Sequence, residues 1–209
     1  MKDDLPPQAA VFDLGGVIIE VSVEAIPRHW ARALEVPLSE VLNPFLADVR
    51  YQLMERGEIS MRQYHEHLVA RLGRAMPFDD FVAGWNSLLR GLLPGVEELL
   101  ARLCRHLRLV MLTNTNATHA AQWRVDQADV LRHFERVFVS YEMRARKPEP
   151  GCFRQVLEYL ALEPPRVVFI DDAAENVAAA EGLGMKGIVA AGADQIAESL
   201  RAMGVPVET

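Results

Sequence analysis

The sequence predicts an α/β fold, a Rossmann-like parallel sheet core with an inserted all-helical cap domain. Three observations carry this reading. Short apolar runs end in polar residues at 9–13, 107–114 and 166–172. From residue 94 onward, segments with helical apolar spacing alternate with such runs. Residues 21–92, between the first run and the rest, show helical spacing without a convincing strand.

The first run, AAVFDLGGVII at residues 9–19, leads to Asp13 and then to Gly15 and Gly16. It reads as a buried parallel strand ending in a turn that the glycines permit. In the next block, Leu53, Ile59, Tyr64, Leu68 and Leu72 recur at helical spacing, followed by Phe81, Trp85 and Leu88. Gly57, Gly73, Pro77 and Gly91 punctuate these helices. PGVEELLARLCRHL then reads as an amphipathic helix with Leu99, Leu100, Leu103 and Leu107 on one stripe. LRLVMLTN is a strand that ends at Thr113 and Asn114, and ATHAAQWRVDQA is the helix after it. A short strand at 137–140 precedes a loop marked by Pro148 and Pro150, then helix CFRQVLEYLALE. RVVFIDD is a strand ending at Asp171 and Asp172, followed by helix AAENVAAAEGLG, short strand KGIVAA and a last helix from Gln195 to Met203. The expected division is a core of residues 1–20 and 93–209 and a cap of residues 21–92.

With 209 residues the chain is long enough for one compact core and a lid. A net charge of -7 argues against a nucleic-acid-binding face. The local cluster of Arg144, Arg146 and Lys147 reads as a solvated loop or a short anion site. Cys104 and Cys152 stand far apart without a CxxC, so neither a disulfide framework nor a thiolate metal site is expected. The opening MKDDLPPQAA lacks the pattern of a signal peptide, and no apolar stretch reaches the roughly 18 residues of a membrane span. The expected location is the cytoplasm.

Three strand ends thus carry unusual polar groups, and open parallel sheets bind ligands at such ends. Burying several carboxylates together costs desolvation and repulsion, which a divalent cation offsets. Magnesium (Mg2+) suits hard oxygen donors best. Lys147 would supply positive charge, and Thr113 a hydroxyl at a strand-to-helix turn of the kind that holds anions. Taken singly, Lys147 also reads as solvated surface and Asp13 as a turn or N-cap aspartate. Composition and periodicity do not supply the chemistry.

The four segments FDLGGV, LTNTN, ARKPEP and FIDDAAEN, in that order, resemble the motifs of the haloacid dehalogenase-like hydrolase superfamily, in particular its phosphatases with a helical cap after the first motif. The resemblance covers nearly the whole chain. ERGEIS, residues 55–60, resembles a cap segment of sugar-phosphate phosphatases such as the bacterial α-glucose-1-phosphate phosphatases. The resemblance implies that Asp13 is a nucleophile forming an aspartyl-phosphate. Thr113, Asn114 and Lys147 would bind the phosphoryl group, with Lys147 bridging to Asp13. Asp13, Asp172, Asp171 and the Gly15 carbonyl would ligate magnesium, with Asp171 acting directly or through water. Asn176 would orient a metal-bound water or a neighbouring loop.

One departure stands out. These phosphatases generally carry a second aspartate at the position of Gly15, which protonates the leaving alcohol; such acid–base help is worth typically ~10²–10⁴-fold. The glucose-1-phosphate phosphatases also have glycine there. The implied function is magnesium-dependent hydrolysis of small phosphate monoesters, with sugar phosphates favoured. The partner is then a small phosphorylated metabolite, with no nucleic acid or membrane, for a monomer or weak homodimer. Two alternatives stay open: a 2-haloacid dehalogenase using the same aspartate on carbon, and a non-catalytic protein that binds a phosphorylated ligand. Cap residues Trp30, Met54, Arg56, Tyr64, His65 and Trp85 could face the cleft, although helix packing or surface is the ordinary reading of each.

Overall fold

The computed structural model describes residues 5–207. The acidic start at 1–4 and the last two positions of the expected core, 208–209, lie outside the described residues. In chain order the elements begin β1 (Ala9–Phe12), β2 (Ile19–Val21), α1 (Ala25–Ala33), α2 (Leu38–Leu46), α3 (Tyr51–Glu55), α4 (Met61–Leu72), α5 (Phe78–Asn86) and β3 (Leu89–Leu92). They continue α6 (Val96–Leu103), β4 (Arg108–Thr113), α7 (Ala117–Asp126), α8 (Ala128–Leu131), β5 (Arg136–Val139), α9 (Ser140–Met143) and α10 (Pro150–Leu160). β6 (Val167–Asp171), α11 (Ala174–Glu181), β7 (Lys186–Val189) and α12 (Ala193–Ala202) complete the order. No helix among the described residues is long and apolar enough to cross a membrane.

Five strands form one parallel sheet in the order β5-β4-β1-β6-β7. β1 is wholly buried because its side chains feed two cores in alternation. Ala10 and Phe12 pack with Leu99, Met111 and Trp123 on one face; Ala9 and Val11 pack with Val110, Phe153 and Phe169 on the other. The chain proceeds from β1 to β4 and β5 on one side, then crosses to β6 and β7 on the other. That reversal at β1 opens a crevice at the carboxyl ends of the strands.

The helical insert has its own core. Trp30 stacks on Phe81 at a centroid distance of 4.7 Å and donates its indole N–H to the Phe81 carbonyl at 3.0 Å. Gly84 lies against this indole, and a Cβ there would overlap it. The Trp30, Met54, Tyr64 and Trp85 side chains are buried in this core. His65 bonds the Met76 carbonyl, so ordinary packing accounts for most of the cleft-facing candidates.

The structure differs from the sequence reading at both ends of the insert. The 9–19 run is two strands, not one: β1 stops at Phe12, and Ile19 begins β2 after a turn. LRGL, inside the block expected to hold no strand, is β3, which pairs antiparallel with β2. Ser22 N–H to the Leu88 carbonyl and Leu93 N–H to the Ile18 carbonyl, both 2.9 Å, extend this ribbon. Its pairing comes from tertiary context, because a four-residue segment with Gly91 and no β-branched residue carries little strand propensity.

Candidate active site

The sheet register builds the site. Phe12 sits opposite Met111 on one side and Ile170 on the other, so the residues just beyond reach the same edge. Asp13 N–H donates to the Ile170 carbonyl at 2.9 Å, which places Asp13 beside Asp171. Lys147 arrives from the loop before α10. Its Nζ lies 2.7 Å from Asp13 Oδ1 and 2.6 Å from Asp171 Oδ2. The lysine side chain is 1% exposed, which removes the solvated-surface reading.

Asn114 makes this placement rigid. Lys147 N–H donates to Asn114 Oδ1 at 2.8 Å, and Asn114 Nδ2 donates to the Lys147 carbonyl at 2.9 Å. Its amide therefore works through the lysine backbone. Thr113 is buried at the end of β4, one residue earlier. Asp171 is fully buried, and its Oδ1 accepts from Ala173 N–H at 2.9 Å and Asn176 Nδ2 at 3.0 Å. Asn176 thus orients Asp171. Gly15 occupies the turn after Asp13 and bridges to Ile19. Gly16 has φ +76°, and a Cβ on it would overlap the Asp172 carboxylate. Glycine is needed there for both conformation and space.

Electrostatics follow from this geometry. Burial pushes the Asp13 carboxyl up to about 6, against the pull of the Lys147 ammonium and with the push of Asp171. Burial works against the Lys147 charge, but Asp13 and Asp171 outweigh it and hold its pKa above the ordinary lysine value. Burial, followed by the charge of Asp171, raises Asp172. One oxygen from each of Asp13, Asp171 and Asp172 lies within 4.8 Å of the others. Three carboxylates facing one ammonium form a hard, negatively charged donor set, and a divalent cation fits it.

Sequence reasoning missed how the cap meets this centre. Arg144 and Arg146, read as a solvated loop or an anion site, instead hold the cap turn. Arg146 Nε donates to Glu55 Oε2 at 2.8 Å, and Arg144 donates to the Gly57 carbonyl. In the opposite sense, Arg56 Nε donates to Glu149 Oε1 at 2.8 Å. Ser60 and Gln63 form a capping box at the start of α4, which fixes the end of ERGEIS. Burial raises the Glu55 carboxyl despite Arg146. On the far side, buried His119 of α7 bonds the Trp85 carbonyl through Nε2 at 3.0 Å and stacks on the Trp85 ring. Apart from the capping box, no local signal marks these contacts, because their partners lie 34 to 93 residues away.

A family profile for haloacid dehalogenase-like hydrolases matches residues 7–184. The chain is 26% identical over 187 residues to the sesquiterpene phosphatase astK of Aspergillus oryzae, covering 87% of this chain and 88% of that one. It is 26% identical over 192 residues to the phosphorylated carbohydrates phosphatase of Thermotoga maritima, covering 87% and 83%. Among solved structures, a HAD family enzyme of Bacteroides thetaiotaomicron in complex with magnesium and inorganic phosphate superimposes with a TM-score of 0.77 at 25% identity, over 89% of this chain and 95% of that one.

Proposed function

The chain belongs to the haloacid dehalogenase-like hydrolase family, and from that premise we propose that it hydrolyses small phosphate monoesters with magnesium, through an aspartyl-phosphate on Asp13. The observation that carries this is the convergence of Asp13, Asp171, Asp172 and buried Lys147 at one sheet edge. The magnesium-and-phosphate complex of the Bacteroides enzyme supports it.

In this reading a carboxylate oxygen of Asp13 attacks phosphorus and the bond to the alcohol oxygen breaks. Water then attacks the phosphorus of the aspartyl-phosphate, releasing phosphate and restoring the carboxylate. Lys147 holds Asp13 and meets the charge of the phosphoryl oxygens. Thr113 donates its hydroxyl to the phosphoryl group, and Asn114 fixes Lys147. Asp13, Asp172, Asp171 and the Gly15 carbonyl would hold magnesium, which would supply positive charge to the phosphoryl oxygens. Gly15 has no acid–base side chain, so the leaving oxygen takes its proton from water or from a group outside this turn.

Residues 1–20 and 93–209 act as the catalytic core and 21–92 as the cap that admits the substrate. The protein works in the cytoplasm as a monomer or weak homodimer on a small phosphorylated metabolite, without nucleic acid. The net charge of -7 and two free cysteines support this setting. The likeness of ERGEIS to the α-glucose-1-phosphate phosphatases makes sugar phosphates the first panel to try.

The test is phosphate release from a monoester panel, with and without magnesium, beside Asp13→Asn. Release should require magnesium and vanish in the variant. Release that survives Asp13→Asn refutes the nucleophile. Chloride release from 2-chloropropionate without magnesium would establish the dehalogenase instead.

A further inference from the structure

A cavity of about 310 Å³ lies between the cap and the core. It adjoins the site just described, for its wall includes Asn114, which clamps Lys147, and Glu55, which bonds the preceding Arg146. The rest of the wall is mainly apolar: Val23, Ile26, Phe45, Leu46 and Leu88, with the ring of Trp85. Val23 and Leu46 are 50% and 63% exposed, so two large apolar side chains stand in water on this wall.

Most of the polar wall groups already have a partner. Asp48 accepts from Arg50 N–H at 2.8 Å through Oδ1 and pairs with His67 Nε2 at 2.7 Å through Oδ2. Glu55 is held by Arg146. Both amide atoms of Asn114 are spent on the Lys147 backbone. Both ring nitrogens of His119 are bonded, to the Trp85 carbonyl and to Asn116 Nδ2. What remains is Glu55 Oε1, the indole N–H of Trp85, which has no acceptor among the described residues, and the phenol of part-exposed Tyr51. A sugar brings several hydroxyls, and burying them against such a wall leaves most unpaired. A hydrocarbon brings no hydroxyl that needs a partner there, and it covers Val23 and Leu46.

We propose that the substrate is the monophosphate of a predominantly apolar alcohol, whose hydrocarbon part fills this cavity while the phosphate lies at Asp13 and Lys147. The proposal rests on the phosphatase reading and narrows its substrate class.

The experiment runs n-alkyl monophosphates from ethyl to octyl against glucose and fructose phosphates, with magnesium. The value of kcat/KM should rise about three- to fourfold per methylene until the cavity is full. Octyl phosphate should exceed each sugar phosphate by at least ~100-fold if most of its chain is buried. A flat series, or sugar phosphates ahead of octyl phosphate, overturns the proposal and leaves the phosphatase reading intact. Calorimetric binding of the matching n-alkylphosphonates needs no turnover. There, affinity should rise with chain length, Leu46→Asn should flatten the slope, and Val125→Asn, an exposed apolar site on α7, should preserve it. A flat phosphonate slope in the unsubstituted protein overturns the proposal even if nothing is hydrolysed, the outcome that would sink the phosphatase reading.

Discussion

Lys147 is the residue on which the site depends most. It is the ammonium between two carboxylates, and its removal leaves part-buried Asp13 facing fully buried Asp171 without a cation between them. Lys147→Ala should therefore lose about 3–5 kcal/mol of stability in urea denaturation. Phosphate release should fall by roughly 10²–10³. Gly15 bears the opposite question. A Cβ there meets Val21 Cγ1 at 3.2 Å, so Gly15→Asp fits with a slight shift of β2. Steady-state release by Gly15→Asp should stay within about tenfold of the parent, well inside the full range of acid–base help. A rise above ~100-fold would show that the missing acid limits the reaction. The sequence made the strand-end residues visible because a polar group closing an apolar run is a local pattern. It did not reveal the partners of Asn114, since both its bonds go to the Lys147 backbone 33 residues on.

Among the elements, α5 and α7 join cap to core through His119. Asn116 Oδ1 already accepts from the N–H groups of Thr118 and His119, which turns Nδ2 towards the ring. The imidazole then accepts at Nδ1 and donates from Nε2 to the Trp85 carbonyl, which is its neutral form. Burial pushes its pKa down to about 4 from 6.5, against the Trp85 carbonyl bond. The unfolded chain takes up the proton first as pH falls. This stability is thus whole above about 6.5 and declines as pH drops towards about 4, by roughly 3 kcal/mol in all. Urea midpoints between pH 7 and pH 4.5 should fall in the parent and fall less in His119→Gln. Equal slopes would remove His119 as the cause. The longer helices were legible because their apolar period runs over many residues, and the parallel strands because each is a short apolar run bounded by polar or glycine residues. The β2–β3 ribbon was not, since neither of its short strands has an independent pattern and each is defined by the other.

For the molecule as a whole, the metal is a source of stability as well as chemistry. Asp13 and Asp171–Asp172 come from strands whose pairing spans most of the chain, so their donor set exists only in the folded protein. A cation bound to that set stabilises the fold by about 2.7 kcal/mol at a hundred times its dissociation constant. Magnesium should raise the Tm in scanning calorimetry, EDTA should reverse the rise, and Asp172→Asn should reduce it sharply. An equal rise in the variant would place the ion elsewhere. The fold class was readable because the order of strands and helices is written along the chain. The docking of cap on core was not, because it depends on side chains that meet only after both units have formed.

The β2–β3 ribbon has a consequence for how such a molecule can change. The chain leaves the sheet and returns to it through two neighbouring antiparallel strands, so the sheet experiences residues 22–88 as the loop of a long hairpin. Each doubling of a flexible loop adds only about 0.6 kcal/mol to its closure entropy. One helical block can therefore be exchanged for another of different length at that junction with little disturbance to the strand order. The helical insert and the sheet are separable inheritances, continuous with each other along the chain only through that ribbon.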